Sequence, residues 1–185
     1  MTDLQTQKAL ARKAAFARRK AAHLSWKTGR AGRLSELLAG YRGVPIAGYL
    51  PIQTEINPLP AMEEACAYGP VGVPVVTGEA KPLRFARWEP GVALTANAFG
   101  TQVPQDLRFM VPEILIIPLV AFDLNGARLG YGGGFYDRTL AELRAKGPVL
   151  AVGLAYAAQQ TTSLPVENTD QPLDLIVTEA AIHSL

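Results

Sequence analysis

Five glycines fall within nine positions, at 126, 130, 132, 133 and 134, between a long apolar run and a helix-forming stretch. The apolar run covers residues 114–122, contains Pro118, and is closed by Asp123. The helix-forming stretch opens at Phe135 and carries Asp137 in its first turn. Glycine lets backbone amides come close to a ligand and adopt positive φ. A helix N-terminus adds unpaired N–H groups and a partial positive charge, which together favour phosphate. Arg128, inside the loop, can grip phosphate oxygens in bidentate fashion. A strand that runs into such a loop places it at the carboxyl edge of a sheet, where open α/β folds bind ligands. The plain alternative is a glycine-rich turn that binds nothing.

The surrounding charges can be read in two ways each. Asp137 at a helix start commonly compensates the helix dipole. Beside phosphates it becomes a candidate Mg²⁺ ligand, since that ion is usually held by one or two carboxylates plus phosphate oxygens. Asp170, in a polar loop ahead of the last strand, supplies a possible second carboxylate and is otherwise a turn residue. Glu55 follows the apolar stretch 46–52 and is either a loop acid in solvent or a ligand contact at another strand end. Lys8 and Arg12, four residues apart, share one helix face, and their ordinary fate is a solvated surface. Phe85 and Trp88 could stack on a flat ring, with core packing as the simpler reading.

Several chemistries are disfavoured. A dinucleotide fingerprint begun at Gly130 would need glycine where Phe135 stands, and no Gly-Lys pair exists to form a P-loop. No G-x-S-x-G elbow occurs. The two histidines, His23 and His183, are far apart, and the single cysteine, Cys66, sits in a helix-forming stretch as a small core residue. Covalent Ser or Cys catalysis and a zinc site are not expected. What is left is phosphate binding, a hard cation and positioning, which suits phosphoryl transfer.

These groups need a scaffold, and 185 residues with 49% hydrophobic content fit one domain with a substantial core. Residues 4–27 lack Gly and Pro and read as a long basic helix. Shorter helices are expected at 34–38, 58–68 and 135–146. Apolar runs at 46–52, 71–76, 83–88, 114–122, 149–156 and 173–178 read as strands, several of them continuous enough to be buried on both faces. Alternation of strand and helix predicts an α/β fold, layered, with a mainly parallel central sheet. Residues 83–88 are expected to pair with 92–96 as an antiparallel hairpin. One cysteine suits a reducing compartment, and no stretch reaches the roughly 18 apolar residues of a membrane span. Residues 1–30 hold eight Lys or Arg against one acid, whereas residues 158–185 hold four acids and no Lys or Arg. That asymmetry would suit a nucleic-acid-binding arm, but no nucleic-acid motif accompanies it. An Arg-rich start could also be a transit peptide, although the segment reads equally as a structural helix.

The stretch from Arg128 through Gly130, Tyr131, Gly132, Gly133, Gly134, Phe135 and Tyr136 to Asp137, preceded by Pro118 to Asp123, resembles the signature of the 5-formyltetrahydrofolate cyclo-ligase family. The likeness extends over nearly the whole chain. Lys8 and Arg12 resemble the family's N-terminal K-x-x-x-R, and Glu55 resembles its substrate-side glutamate. Residues 151–156, Gln159, Leu164, Asp170 and 173–179 follow its C-terminal pattern. Two departures stand out: Leu119 where glycine is expected, and Asn57 where threonine is usual.

The resemblance implies an enzyme that converts 5-formyltetrahydrofolate and ATP to 5,10-methenyltetrahydrofolate, ADP and phosphate. Phosphorylation of the formyl oxygen would precede ring closure by the folate nitrogen. It implies that Lys8, Arg12, Arg128 and Leu129 through Tyr136 bind ATP, and that Arg128 and Tyr136 act in catalysis. Leu50, Glu55 and Tyr131 through Phe135 would bind the folate, and Asp137 and Asp170 would hold Mg²⁺. On this reading residues 1–185 form a single cyclo-ligase-like domain, monomeric and cytoplasmic, with no nucleic-acid or membrane partner. Asp137→Asn or Arg128→Ala is expected to abolish turnover and leave the fold intact.

Overall fold

A computed structural model describes residues 4–26 and 32–185. Lys27 and Arg30, counted above in the basic N-terminal stretch, lie outside them. The chain runs α1 (Leu4–Ser25), α2 (Gly32–Leu38), β1 (Ile46–Ala47), α3 (Leu59–Cys66), β2 (Val71–Val75), β3 (Arg84–Arg87), β4 (Leu94–Ala96) and β5 (Gln102–Pro104). It continues through β6 (Phe109–Met110), β7 (Ile114–Pro118), β8 (Ala121–Phe122), β9 (Arg128–Leu129), α4 (Phe135–Lys146), β10 (Leu150–Leu154), β11 (Leu175–Val177) and β12 (Ile182–Ser184).

Eight strands form the central sheet in the order β12-β11-β10-β7-β1-β2-β3-β6. The five central strands, β11 to β2 in that order, are parallel. Antiparallel strands β12, β3 and β6 extend the edges. The mainly parallel α/β expectation therefore holds at the centre, where the site lies.

β7 shows why its sequence lacks polar alternation. Ile114 and Ile116 pack towards α2 and α3, with Leu34, Leu38 and Ala61. Leu115 and Ile117 pack on the opposite face with Leu140 of α4. Both faces of the pleat are covered, so every position is apolar. Burying each such side chain contributes about 1.5–3 kcal/mol.

Three strand expectations are corrected. Residues 83–88 do not form a hairpin with 92–96. β3 pairs instead with β2 and β6, while β4 pairs with β5. Pro90 and Gly91, the latter at φ 81°, turn the chain away from β3, both of whose edges are already paired. The run 114–122 is two elements, because β7 ends at Pro118 and β8 turns off to pair with β9 in a separate ribbon. Of residues 46–52 only β1 is strand. Gly48 then lies under Met62, where a Cβ would come within 2.5 Å of the sulfur.

α1 is laid against the β8–β9 ribbon through Ala15, which packs with Val120, Ala121 and Leu129. Its fully buried positions are Lys8, Ala15 and Arg19, a stripe at helical spacing. The inward face of this basic helix thus carries cations, while Lys13, Arg18 and Lys20 face solvent.

Candidate functional site

The carboxyl ends of the parallel strands open into a cleft of about 1180 Å³. α1 brings Lys8 and Arg12 to it, the β1–α3 connection brings Tyr49, Leu50 and Glu55, and the β9–α4 loop brings residues 130–134. α4 adds Phe135, Tyr136 and Asp137, and the loop before β11 adds Asp170. Arg128 and Leu129 line it from β9. Every residue that the resemblance assigns to ATP, folate, catalysis or Mg²⁺ therefore lines one cavity. Asp123 does not. Its Oδ1 accepts from the N–H groups of Asn125 and Ala127, and its Oδ2 from that of Leu164, so it ties the ribbon turn to a distant loop.

The glycine loop needs its glycines. Gly132 and Gly134 have φ of 101° and 64°, in the region that strains side-chain-bearing residues. Gly134 stands immediately before α4, so the loop delivers the chain straight into the helix N-terminus. Arg12 Nε donates to the Gly130 carbonyl at 3.0 Å, fastening α1 to the loop. Arg138 Nη2 donates to the Gly133 carbonyl at 2.7 Å.

The cations are already engaged. Lys8 Nζ lies 2.8 Å from Asp170 Oδ2 and 3.4 Å from Glu167, with only 6% of its side chain exposed. Arg128 Nη2 donates to Asp137 Oδ1 at 2.9 Å, and its Nη1 donates to the Gln171 carbonyl at 2.9 Å. Asp137 Oδ1 also accepts from the Gln171 N–H. Arg128 is therefore a strut between α4 and the 167–171 loop as well as a cation beside the cleft, so its removal is expected to lower stability as well as turnover. Lys8 is likewise no solvated surface residue.

Asp137 and Asp170 each keep one oxygen, Oδ2 and Oδ1 respectively, without a hydrogen bond among the described residues. No cluster of three or more His, Cys, Asp or Glu side chains that could cage a metal occurs among the described residues. Two carboxylates with free oxygens beside a phosphate-type loop suit a Mg²⁺ ion shared with phosphates and water, not an all-protein metal site.

At the other end of the cleft Glu55 is 5% exposed. Its Oε2 accepts from the Ile52 N–H at 2.9 Å and its Oε1 accepts from the Tyr131 hydroxyl at 2.9 Å. Burial pushes its carboxyl up, against the opposing pull of those two hydrogen bonds and of Arg19. Burial, reinforced by Glu55, pushes Tyr131 up to about 12. The same two causes raise Tyr136 and Tyr49. All three phenols stay protonated at neutral pH and remain hydrogen-bond donors.

The composition of the chain did not point to Phe99. It stands at the tip of the β4–β5 hairpin with φ of 57°, is 71% exposed, and meets the Phe135 ring edge-on at 5.6 Å. A strained, exposed aromatic lining a cleft is a candidate stacking platform. Phe85 and Trp88 are instead buried in the core, and Cys66 is half-buried with its thiol raised by burial. The two departures are absorbed structurally. Leu119 is buried against Gly153, and Asn57 Oδ1 accepts from the Leu59 N–H at the start of α3.

Residues 5–179 match the sequence profile of the 5-formyltetrahydrofolate cyclo-ligase family. The 5-formyltetrahydrofolate cyclo-ligase of Escherichia coli K12 is 37% identical over 147 residues, 74% of this chain and 79% of that protein. The Haemophilus influenzae protein of the same name is 46% identical over 101 residues, 51% of this chain and 54% of that one. Among solved structures, Aquifex aeolicus 5,10-methenyltetrahydrofolate synthetase superposes with a TM-score of 0.71 at 29% identity, covering 96% of this chain and 92% of the other.

Proposed function

The chain belongs to the 5-formyltetrahydrofolate cyclo-ligase family, a family of ligases, and we propose that it closes 5-formyltetrahydrofolate to 5,10-methenyltetrahydrofolate at the expense of ATP. The observation that carries this reading is convergence. Cations from α1 and β9, a glycine loop opening α4, and two carboxylates with free oxygens meet in one cleft whose far end holds the buried Glu55 hydrogen-bonded to Tyr131.

In this reading the loop amides of residues 130–134 and the α4 N-terminus receive the ATP phosphates, with Lys8, Arg12 and Arg128 around them. Asp137 and Asp170 hold Mg²⁺, which when bound neutralises phosphate charge. Lys8 and Arg128 balance one oxygen of each carboxylate, and in the loaded cleft the same cations would also be within reach of phosphate oxygens. Leu50 and Glu55 orient the reduced ring system, with Tyr131 fixing the Glu55 carboxylate. Tyr136, held protonated, can donate a hydrogen bond to the formyl group as its oxygen attacks the terminal phosphate. The folate nitrogen then attacks the activated carbon, the ring closes, and phosphate leaves. Positioning and charge neutralisation suffice for these steps, in keeping with the absence of a nucleophile motif.

The protein is read as one domain, acting as a cytoplasmic monomer on a small molecule. No helix among the described residues is long and apolar enough to cross a membrane. With Lys8, Arg12 and Arg19 turned inward, the nucleic-acid reading loses much of its basis. The test is the near-ultraviolet absorbance of the methenyl product after adding 5-formyltetrahydrofolate, ATP and Mg²⁺ to purified protein. An ATP-dependent rise that a chelator stops is expected, and its absence from folded protein would refute the reading.

A further inference from the structure

One of the largest fully buried side chains in the molecule is a cation. Arg19 is 0% exposed, and its Nη1 and Nη2 have no hydrogen-bond partner among the described residues. Its Nε donates to Thr54 Oγ1 at 3.0 Å. No carboxylate among the described residues lies within ion-pair distance of it. Its guanidinium lies against two rings instead, 5.1 Å from the centroid of Phe16 and 5.4 Å from that of Tyr131. Phe16 and Tyr131 also touch each other, at 5.6 Å. A buried cation with unused donors is costly to maintain, and contacts with two rings offset only part of that cost.

What lies above Arg19 suggests why it is kept. Tyr131 rests on the guanidinium and donates its hydroxyl to Glu55. Glu55 belongs to the connection that also holds Thr54, so Arg19 is fastened to both sides of the pair. The titratable groups around Glu55 are Tyr49 from its own connection, Tyr131 from the glycine loop and Tyr136 from α4, all neutral at physiological pH. Tyr156, on the far side of Arg19, is neutral too. Among the described residues Arg19 is the positive charge that bears on Glu55, and it favours the ionised form against burial.

We propose that Arg19 is a positioning residue: its buried guanidinium anchors Tyr131 and supplies the positive charge that lets Glu55 meet a substrate's N–H groups as a carboxylate. The inference deepens the reading of the cleft given above and rests on Glu55 facing the folate.

The sign of the effect follows. Burial already raises the Glu55 carboxyl, so removal of the opposing cation makes it take a proton at higher pH. A protonated Glu55 accepts fewer substrate hydrogen bonds, and folate affinity falls first at the acid end. Arg19→Gln is expected to raise the KM for folate most at the acid end of the pH range, by up to about tenfold, the limit for a shift of about one pKa unit. The difference closes towards pH 9, while the KM for ATP stays unchanged. Arg19→Lys, which keeps a charge on the same helix face, should restore the wild-type pH profile. A folate KM that is unchanged, or raised equally at every pH, would overturn the proposal. Should Arg19→Gln not fold, a carboxyl-carbon NMR titration of the wild-type protein, with Glu55 assigned through Glu55→Gln, gives the answer. An ionised Glu55 at pH 7 supports the proposal, and a neutral one overturns it. That titration needs no turnover. Inactive wild-type protein would count against the cyclisation reading, whereas a neutral Glu55 in active protein would sink only the role of Arg19.

Discussion

Arg128→Ala removes two interactions at once. The side chain, 5% exposed, donates to Asp137 Oδ1 and to the Gln171 carbonyl, both at 2.9 Å, and so bridges the start of α4 to the loop before β11. A hydrogen bond to a charged partner contributes about 1.5–3 kcal/mol, and the lower end applies because Asp137 is 26% exposed. The bond to the carbonyl adds about 1 kcal/mol. The loss of roughly 2.5 kcal/mol translates, for a chain of 185 residues, into a Tm lower by about 5–10 °C. Thermal unfolding followed by far-ultraviolet circular dichroism at neutral pH measures it directly. Arg128→Lys, which can reach only one of the two partners, should fall between. Turnover should be lost in Arg128→Ala even well below its own Tm, because Asp137 is released from its set position. A Tm within about 2 °C of wild type would show that the strut carries no load, and the account of how the 167–171 loop is held would be wrong.

Three further outcomes are expected. Lys8→Ala should raise the KM for ATP more than that for folate and should tighten binding of Mg²⁺ alone, since Asp170 loses its competing cation; calorimetry with Mg²⁺ and steady-state kinetics check the two halves. Gly132→Ala should cost about 1–2 kcal/mol through its φ of 101° and weaken ATP binding, as read by denaturant unfolding and by nucleotide titration. Glu55→Gln should weaken folate binding yet raise the Tm increasingly as pH rises through and above the ordinary carboxylate range. The sign follows from the raised folded pKa of Glu55: the native state holds the proton longer than the unfolded chain, so ionisation costs wild-type stability with rising pH, and the variant is spared that cost.

The centre of the fold was legible because physics there is local. Residues 114–117, 150–154 and 71–75 are apolar at every position, as strands buried on both faces must be, and residues 135–146 form the expected helix to the residue. The glycine loop was legible because positive φ and close backbone approach leave few other residues possible. The edges were not. Whether β3 pairs with 92–96 or with Phe109 and Met110 depends on which distant segment reaches its open edge first, and no local pattern encodes that. The ribbon of β8 and β9 hides inside what reads as one apolar run. In the sequence Arg19 is one more charge on a basic helix. Its inward direction follows only from the stripe it shares with Lys8 and Ala15, and a stripe with cations in it gives no apolar period to find. The ion pairs of Lys8 and Arg128 join residues brought together only by the completed sheet.

The bond between Lys8 and Asp170 spans 162 positions of sequence. A ribosome adding about 5–20 residues per second makes the first partner roughly 10–30 s before the second. Through that interval Lys8 lacks the carboxylates it finally meets, although the partners of Arg19 and Arg12 at Thr54 and Gly130 have already been made. On the proposed reading, nucleotide binding would appear only after the loop that carries Asp170 has been made, and its onset during synthesis would time the docking of that loop on the first helix.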